Sequence, residues 1–181
     1  MTADLDALLR RVALRDVEAF AAFYDETRAR VYGLITRVLR DPGYSEETTQ
    51  DVYLQVWNGA GNYDPKAGTP LAWLMTLAHR RAVDRVRSEQ AASQRESRYG
   101  AATVELPADR VAEAVIQRDE HRQVTDCLGS LTDTQRESIE LAYYEGLTYS
   151  QVSDRLSTNL ATIKSRMRDA IRVLRNCLGV S

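Results

Sequence analysis

The chain has 181 residues, of which 26 are Asp or Glu and 24 are Lys or Arg, so its formal net charge is −2. That balance argues against a protein that coats DNA non-specifically, which would carry a large positive excess. Apolar residues make up 44% of the chain, as in a folded domain. No run reaches the roughly 18–20 apolar residues of a membrane span, and the acidic N-terminus does not suit a signal peptide. We therefore expect a cytoplasmic protein.

The low content of 9 Gly and 4 Pro favours helices over a β-sandwich or barrel. Apolar residues recur at helical spacing over residues 5–39, until Asp41-Pro42-Gly43 interrupts the pattern. A further helix is predicted from Ser45 through Trp57. An irregular stretch, 59–69, separates it from a helix that runs from Pro70 to about Arg87.

The apolar pattern fades between residues 89 and 109, where polar residues and Pro107 are typical of a flexible linker. Helical periodicity then returns, and no alternating strand pattern competes with it. The sequence therefore predicts an all-α fold in two small helical domains, residues 1–88 and 110–181, joined by the linker at 89–109.

The charge is unevenly distributed along the chain. Residues 80–98 carry a net charge of +3 and residues 160–178 a net charge of +4, so the rest of the chain carries −9. The near-neutral total thus hides two basic patches on an acidic body. Each patch is either an ordinary solvated helix face or a surface that binds nucleic acid.

Two capping boxes mark helix starts in the second domain. They consist of Thr132 with Gln135 and of Thr148 with Gln151. The helix after the second box is short, and Asn159 is a suitable N-cap for the longer basic helix that follows. A short helix, a tight turn and a longer helix are typical of a helix-turn-helix, whose second helix enters the DNA major groove.

The longer helix has an apolar stripe from Ile163 to Leu178, and its opposite face combines small polar side chains with arginine and lysine. Small residues let a helix approach base edges, and basic side chains bind bases or phosphates. The alternative is a plain amphipathic helix with a solvated basic face. The predicted DNA-binding residues are Thr162, Lys164, Ser165, Arg166, Arg168 and Arg172.

These residues resemble a known family. Leu147-Thr-Tyr-Ser-Gln-Val-Ser-Asp-Arg-Leu156, followed by Ala161-Thr-Ile-Lys-Ser-Arg166, is similar to the −35-binding region of bacterial sigma factors. The similarity is greatest to the extracytoplasmic-function (ECF) group of the sigma-70 family. It covers roughly residues 17–90 and 120–178.

The first half of the chain resembles the same family independently. Gln50-Asp-Val-Tyr-Leu54 is similar to the helix that binds core RNA polymerase, and Gly68-Thr-Pro-Leu-Ala-Trp-Leu74 to the −10 region. Ala78-His-Arg-Arg-Ala-Val-Asp84 and Gln94-Arg-Glu-Ser-Arg-Tyr-Gly100 are most similar to the actinobacterial sigma-K branch.

The resemblance implies an initiation subunit without enzymatic activity that binds core RNA polymerase and promoter DNA, recognises −35 and −10 elements and helps to melt DNA. The residues it implies for polymerase binding are Glu47, Gln50, Asp51 and Leu54. Glu46 and Glu47 also suit the dipole of a helix that starts at Ser45, whereas Asp51 lies too far along the helix for that role.

Melting requires one base of the −10 element to leave the stack and enter a protein pocket. The implied residues for −10 recognition and melting are Asn62, Tyr63, Asp64, Lys66, Thr76, Arg80 and Arg87. We expect the side chains at positions 62 and 64 to read a base edge, the ring at 63 to stack and the lysine at 66 to hold a phosphate. An ordinary polar loop is the alternative.

Ser157 stands where the family's turn usually has glycine, so the backbone there must tolerate a Cβ.

Cys127 and Cys177 are both predicted to point into the core of the second domain. We favour two buried reduced thiols over a reversible disulfide that changes the fit to an inhibitor, and a Cα separation above about 7 Å would exclude the disulfide. Neither His79 nor His121 has partners at metal-ligand spacing, so no metal or other cofactor is predicted.

Two other classes of function compete with the sigma factor. One is a two-domain helix-turn-helix regulator that does not join polymerase. The other is a helical enzyme, which the lack of a His/carboxylate cluster, nucleophile motif or phosphate loop disfavours. Because the family is commonly inhibited by anti-sigma proteins, often membrane-anchored, we expect such a partner to hold the chain at the inner face of the membrane. No small-molecule substrate is expected.

Overall fold

The computed structural model describes residues 4–96 and 118–179. Over these residues the protein is helical and contains no strand, and the chain divides into two compact units, residues 1–108 and 109–181. The all-α prediction is confirmed. The part of the predicted linker from residue 97 onward lies outside the described residues, as do Arg98 and the side chains of Arg95 and His121.

Within its described residues, 4–96, the first unit forms four helices and one 3-10 turn: α1 (Leu5–Ala13), α2 (Val17–Leu39), α3 (Pro42–Gly59), the turn (Ala60–Asn62) and α4 (Pro70–Glu96). The first three helices each start at an aspartate whose carboxylate accepts a hydrogen bond from a backbone N–H of the first turn. The prediction that α3 starts at Ser45 is therefore wrong. Asp41 accepts from the N–H of Tyr44 at 2.8 Å, and Pro42 suits the first helical position because it lacks an N–H.

Helix α4 continues beyond Arg87 to Glu96, into the range predicted as linker. The apolar periodicity fades there because residues 88–91 are exposed, not because the helix ends, and no Gly or Pro interrupts residues 88–96. Arg85 and Glu89 form an (i, i+4) ion pair at 3.2 Å that supports this stretch.

The core of the first unit lies where α2 packs against α1, α3 and α4. Leu9, Phe23 and Leu74 are fully buried there. A buried polar contact joins α2 to α3, because the Thr27 hydroxyl lies 2.8 Å from the Tyr53 hydroxyl. Burial raises the pKa of Tyr53 to about 12, so this phenol stays protonated well beyond its ordinary range.

The described residues of the second unit, 118–179, form four helices: α5 (Arg118–Gly129), α6 (Asp133–Ile139), which a π-helical turn (Glu140–Tyr144) continues, α7 (Tyr149–Arg155) and α8 (Leu160–Leu178). Both predicted capping boxes are confirmed, with the side-chain and backbone hydrogen bonds present in each direction. A small apolar core holds the helices together: Leu131, Ile139, Val152, Ile163, Met167 and Ala170.

Two apolar residues of these helices are exposed. Val17 is 68% exposed at the start of α2, and Val124 is 42% exposed on α5.

Candidate nucleic-acid interface

The turn between α7 and α8 has the geometry of a helix-turn-helix. Ser157 adopts the left-handed conformation, with φ 47°, as its place in the glycine position of the turn predicts. The N–H of Thr158 donates to the carbonyl of Ser153 at 2.9 Å, and Asn159 caps α8 by accepting from the N–H of Ala161 at 2.8 Å. The turn is therefore fixed at both ends despite the Cβ.

Helix α8 presents one buried and one exposed face. Ile163, Met167 and Ala170 are buried, with at most 5% of their surface exposed. Five of the predicted DNA-binding residues are exposed and Arg166 is half-buried. Arg172 forms an ion pair with Asp169 at 2.8 Å, so part of its charge is offset within the helix. The exposed residues are Thr162, Lys164, Ser165, Arg168 and Arg172.

On α3, the structure separates the predicted polymerase-binding residues into two kinds. Gln50 is exposed and Leu54 is 60% exposed, which is unusual for a leucine on a packed helix. Glu47 pairs with Arg85 at 3.2 Å, and Asp51 pairs with Arg81 at 3.1 Å. Because α3 starts at Pro42, its first turn contains no acid, and the helix-dipole explanation of Glu46 and Glu47 is wrong.

Sequence reasoning missed the roles of Arg81 and Arg85. Arg85 also lies over the ring of Tyr44, 4.3 Å from its centroid. Partial desolvation lowers the pKa of Arg85, but the charge and hydrogen bond of Glu47, with Tyr44 and Glu89, outweigh it and raise that pKa. The sequence did contain a signal for these two ion pairs. Arg81 and Arg85 are four residues apart on α4, and Glu47 and Asp51 are four residues apart on α3.

The loop between α3 and α4 displays most of the residues predicted to read the −10 element. Asn62, Asp64 and Lys66 are exposed, and Asp64 accepts a hydrogen bond from the N–H of Lys66 at 2.9 Å. Tyr63 is half-buried; its hydroxyl donates to the carbonyl of Gly68 at 2.9 Å, and its ring meets Trp73 edge-on with centroids 5.9 Å apart. Tyr63 thus joins residues 63 and 68 of the loop, which also carries the exposed side chains of Asp64 and Lys66.

The predicted −10 residues of α4 lie on the surface. Thr76, Arg80 and Arg87 are exposed, and the Thr76 hydroxyl donates to the carbonyl of Ala72 at 2.8 Å. The spacings of four and seven residues place the three side chains along one side of the helix. The loop and this side of α4 both belong to the first unit, and each exposes polar or basic groups.

The structure joins Cys127 of α5 and Cys177 of α8 in a disulfide, with 5.7 Å between their Cα atoms. The favoured interpretation of two reduced thiols is therefore wrong for this structure. Cys127 is 2% exposed, as predicted, but Cys177 is exposed, since the last turn of α8 extends past the apolar core.

Within residues 4–96 and 118–179 no helix is both long and apolar enough to cross a membrane. The same part of the chain contains no group of three or more His, Cys, Asp or Glu side chains arranged to hold a metal ion.

The helix-turn-helix formed by α7 and α8 is typical of a DNA-binding class of protein. The family model of Sigma-70 region 2 matches residues 23–92, and the family model of Sigma-70, region 4 matches residues 127–176. A Mycobacterium sp. (strain JLS) protein named ECF RNA polymerase sigma factor SigK is 76% identical over 181 residues, which cover 100% of this chain and 94% of that protein. The protein of the same name from Mycobacterium bovis (strain BCG / Pasteur 1173P2) is 66% identical over 181 residues, covering 100% and 97%.

The chain belongs to the ECF RNA polymerase sigma factors. It is a transcription initiation factor and not an enzyme, and the family does not support a regulator that stays apart from polymerase. Among solved structures, Rhodobacter sphaeroides SigE in complex with the anti-sigma ChrR is 25% identical, with a TM-score of 0.48 and coverage of 97% of this chain and 98% of that chain.

Proposed function

We propose that this chain joins core RNA polymerase, reads the −35 element with α8 and the −10 element with the α3–α4 loop and α4, and helps to melt the DNA at the start site. The face of α8 carries the proposal. It exposes Thr162, Lys164 and Ser165 near the N-terminal end of a recognition helix whose opposite face is buried. The N-terminal residues of such a helix contact base edges in the major groove.

The proposal assigns −10 recognition to the first unit. Exposed amide, carboxylate and ammonium groups at Asn62, Asp64 and Lys66 provide hydrogen-bond donors and acceptors for an unstacked base and a cation for its phosphate. Arg80 and Arg87 supply further positive charge along α4.

The exposed face of α3 is the proposed polymerase contact. Leu54 and Gln50 provide an apolar and an amide contact, and Glu47 and Asp51 provide negative charge for a basic partner helix. Since Asp51 already pairs with Arg81, its carboxylate has two candidate partners. The variants Asp51→Asn and Arg81→Ala distinguish a polymerase contact of Asp51 from a purely intramolecular role. If Asp51 contacts polymerase, only Asp51→Asn weakens core binding. If its role is intramolecular, both variants weaken core binding equally.

Inhibition by an anti-sigma factor, anchored in the membrane and holding the chain at its inner face, is a further part of the proposal and rests on the family resemblance. The Cys127–Cys177 disulfide is its proposed redox element, because it ties α5 to α8 and so sets the shape that an inhibitor must fit. Affinity purification of the full chain from cells, with and without reductant, tests both ideas by identifying core polymerase subunits and any membrane protein retained. A redox-independent set of partners contradicts the role of the disulfide.

Promoter selection tests the DNA-binding part of the proposal. The chain is combined with core RNA polymerase purified from a mycobacterium, the source of relatives at 66–76% identity, and the holoenzyme selects duplexes from a randomised pool. We expect two enriched elements separated by a constant spacing. Replacing α8 residues Lys164 and Ser165 by alanine should weaken only the upstream element, and enrichment of a single element would contradict the two-site proposal.

A further inference from the structure

An ion pair joins the helix that we assign to polymerase to the helix that we assign to −10 DNA. Arg81 of α4 donates from Nη2 to Oδ2 of Asp51 on α3 at 3.1 Å. Asp51 belongs to the proposed polymerase contact, and Arg81 directly follows Arg80, which is exposed and belongs to the proposed −10 contact. This ion pair therefore connects the two proposed binding surfaces of the first unit.

Arg81 lies at the border between two sides of α4. Leu74 and Ala78 are buried, whereas Thr76 and Arg80 are exposed. Successive residues of a helix are about 100° apart around its axis, so Arg81 lies between the buried side and the side that carries Arg80. Because an arginine side chain is long and flexible, its guanidinium can turn from α3 toward DNA that contacts the exposed side.

The pair of Arg81 with Asp51 is easily exchanged. The two side chains are 48% and 41% exposed, so water and salt screen their attraction. A lysine or arginine of a partner that binds Asp51 can therefore replace Arg81 at little cost. Within residues 4–96 and 118–179, Asp51 is the acid described as an ion-pair partner of Arg81, so its loss releases the guanidinium.

The neighbouring pair on the same two helices differs in this respect. Arg85 pairs with Glu47 and with Glu89, each at 3.2 Å, and lies over the ring of Tyr44. Its side chain is 27% exposed, less than that of Arg81. Removal of Glu47 therefore leaves Arg85 with two partners. Arg85 stays in place when a partner binds α3, whereas Arg81 does not.

We propose that Arg81 is a further promoter-binding residue that Asp51 holds away from DNA until polymerase binds Asp51. The released guanidinium then binds a phosphate at the −10 element. This inference rests on the proposed function. It also makes the two binding events cooperative, because DNA that binds Arg81 leaves Asp51 free for polymerase, and the coupling is equal in both directions.

The test compares DNA binding by the free full chain with DNA binding by its holoenzyme. The probe is a promoter duplex selected by the wild-type holoenzyme and mismatched over the −10 element, and its affinity is measured by fluorescence anisotropy over a range of salt concentrations. The variants are Asp51→Ala, Arg81→Ala and the double variant. Glu46→Ala is the matched control, because it removes one negative charge from an exposed position of the same helix. Thermal unfolding is measured for every variant.

In the free chain, Asp51→Ala should bind the probe about three- to tenfold more tightly than Glu46→Ala, because one guanidinium becomes available for a phosphate. The slope of log affinity against log salt should steepen by about 0.7–0.9, as expected for one further phosphate contact. The double variant should lose both gains. At saturating core polymerase, where Arg81 is already released, Asp51→Ala should match Glu46→Ala. Arg81→Ala should weaken binding by about three- to tenfold there, a larger loss than in the free chain.

The neighbouring pair provides a second comparison. Glu47→Ala removes the same charge as Asp51→Ala, but Arg85 keeps its contacts with Glu89 and Tyr44. The gain of the free chain should therefore be smaller than that of Asp51→Ala, and its salt slope should stay close to that of Glu46→Ala.

Four results would overturn the inference. Equal probe binding by free Asp51→Ala and Glu46→Ala shows that Asp51 restrains no DNA-binding group. A gain that persists in the double variant shows that reduced repulsion, and not Arg81, strengthens binding. An equal loss in free Arg81→Ala and in its holoenzyme shows that Arg81 binds DNA without release. A wild-type holoenzyme that binds the probe no better than a mismatched duplex of scrambled sequence refutes the proposed function and the inference together, whereas preference for the probe combined with any of the first three results removes the inference alone.

Discussion

Reduction of the Cys127–Cys177 disulfide should destabilise the second unit strongly while leaving the first unit unchanged. The bond closes a loop with a sequence separation of 50 residues. Constraining the unfolded chain over such a loop stabilises the native state by about 4 kcal/mol in the chain-entropy model. This is a large share of the roughly 5–15 kcal/mol that stabilises an ordinary domain, and the core of the second unit is small.

The chain itself provides the controls for this experiment. It has two cysteines, so a reductant breaks this bond alone, and its two tryptophans, Trp57 and Trp73, both lie in the first unit. Urea unfolding with and without reductant is followed by tryptophan fluorescence for the first unit and by far-UV circular dichroism for both. Hydrogen exchange measured by mass spectrometry then localises the change to α5 and α8.

We expect the fluorescence transition to stay in place and the second transition to move to lower urea. Amides of α5 should lose protection first, because α5 joins the unit chiefly through α8 and the disulfide. A change below about 1 kcal/mol in the second unit would refute the entropic reasoning. An equal shift of the tryptophan transition would show that the reductant acts elsewhere.

Three further predictions concern single positions. Ser157→Gly should stabilise the second unit by about 1 kcal/mol in urea unfolding, because glycine adopts the left-handed conformation without the Cβ penalty; destabilisation would contradict this. Because burial raises the pKa of Tyr53 to about 12 while the unfolded phenol ionises near 10, the urea midpoint of the first unit should be steady below pH 10 and fall between pH 10 and 12. Tyr53→Phe should flatten that fall, and an unchanged pH profile would show that another group causes it. Lys164→Ala should weaken −35-dependent promoter binding, measured by filter binding, by about five- to 150-fold. Arg175→Ala removes the same charge from an exposed residue nearer the end of α8 and should have a much smaller effect. Equal losses in the two variants would indicate general charge attraction.

Much of the fold could be predicted from the sequence because interactions between residues close in the chain determine it. The capping boxes at Thr132 and Thr148 use hydrogen bonds within one helical turn, so residue type and spacing specify them completely. The apolar stripe of α8 likewise predicted which side would be buried. The helix-turn-helix and its exposed face therefore followed from the sequence.

The missed features depend on contacts between segments that are distant in the chain. The pairing of Asp51 with Arg81 required the packing of α4 against α3. The disulfide similarly required the approach of α5 to α8, which periodicity alone left open. The end of α4 was misplaced for a different reason, since a solvated helix has no apolar stripe to mark its length.

Transcription reconstituted from purified components shows directly whether this chain initiates transcription with core polymerase. Mycobacterial core polymerase, a selected promoter and the full chain are combined, and transcript start sites are mapped against reactions that lack either protein. We expect a transcript from one start site that requires both core polymerase and the chain, together with permanganate-reactive thymines around that start site. Promoter binding by the chain without any core-dependent transcript would contradict the proposed function.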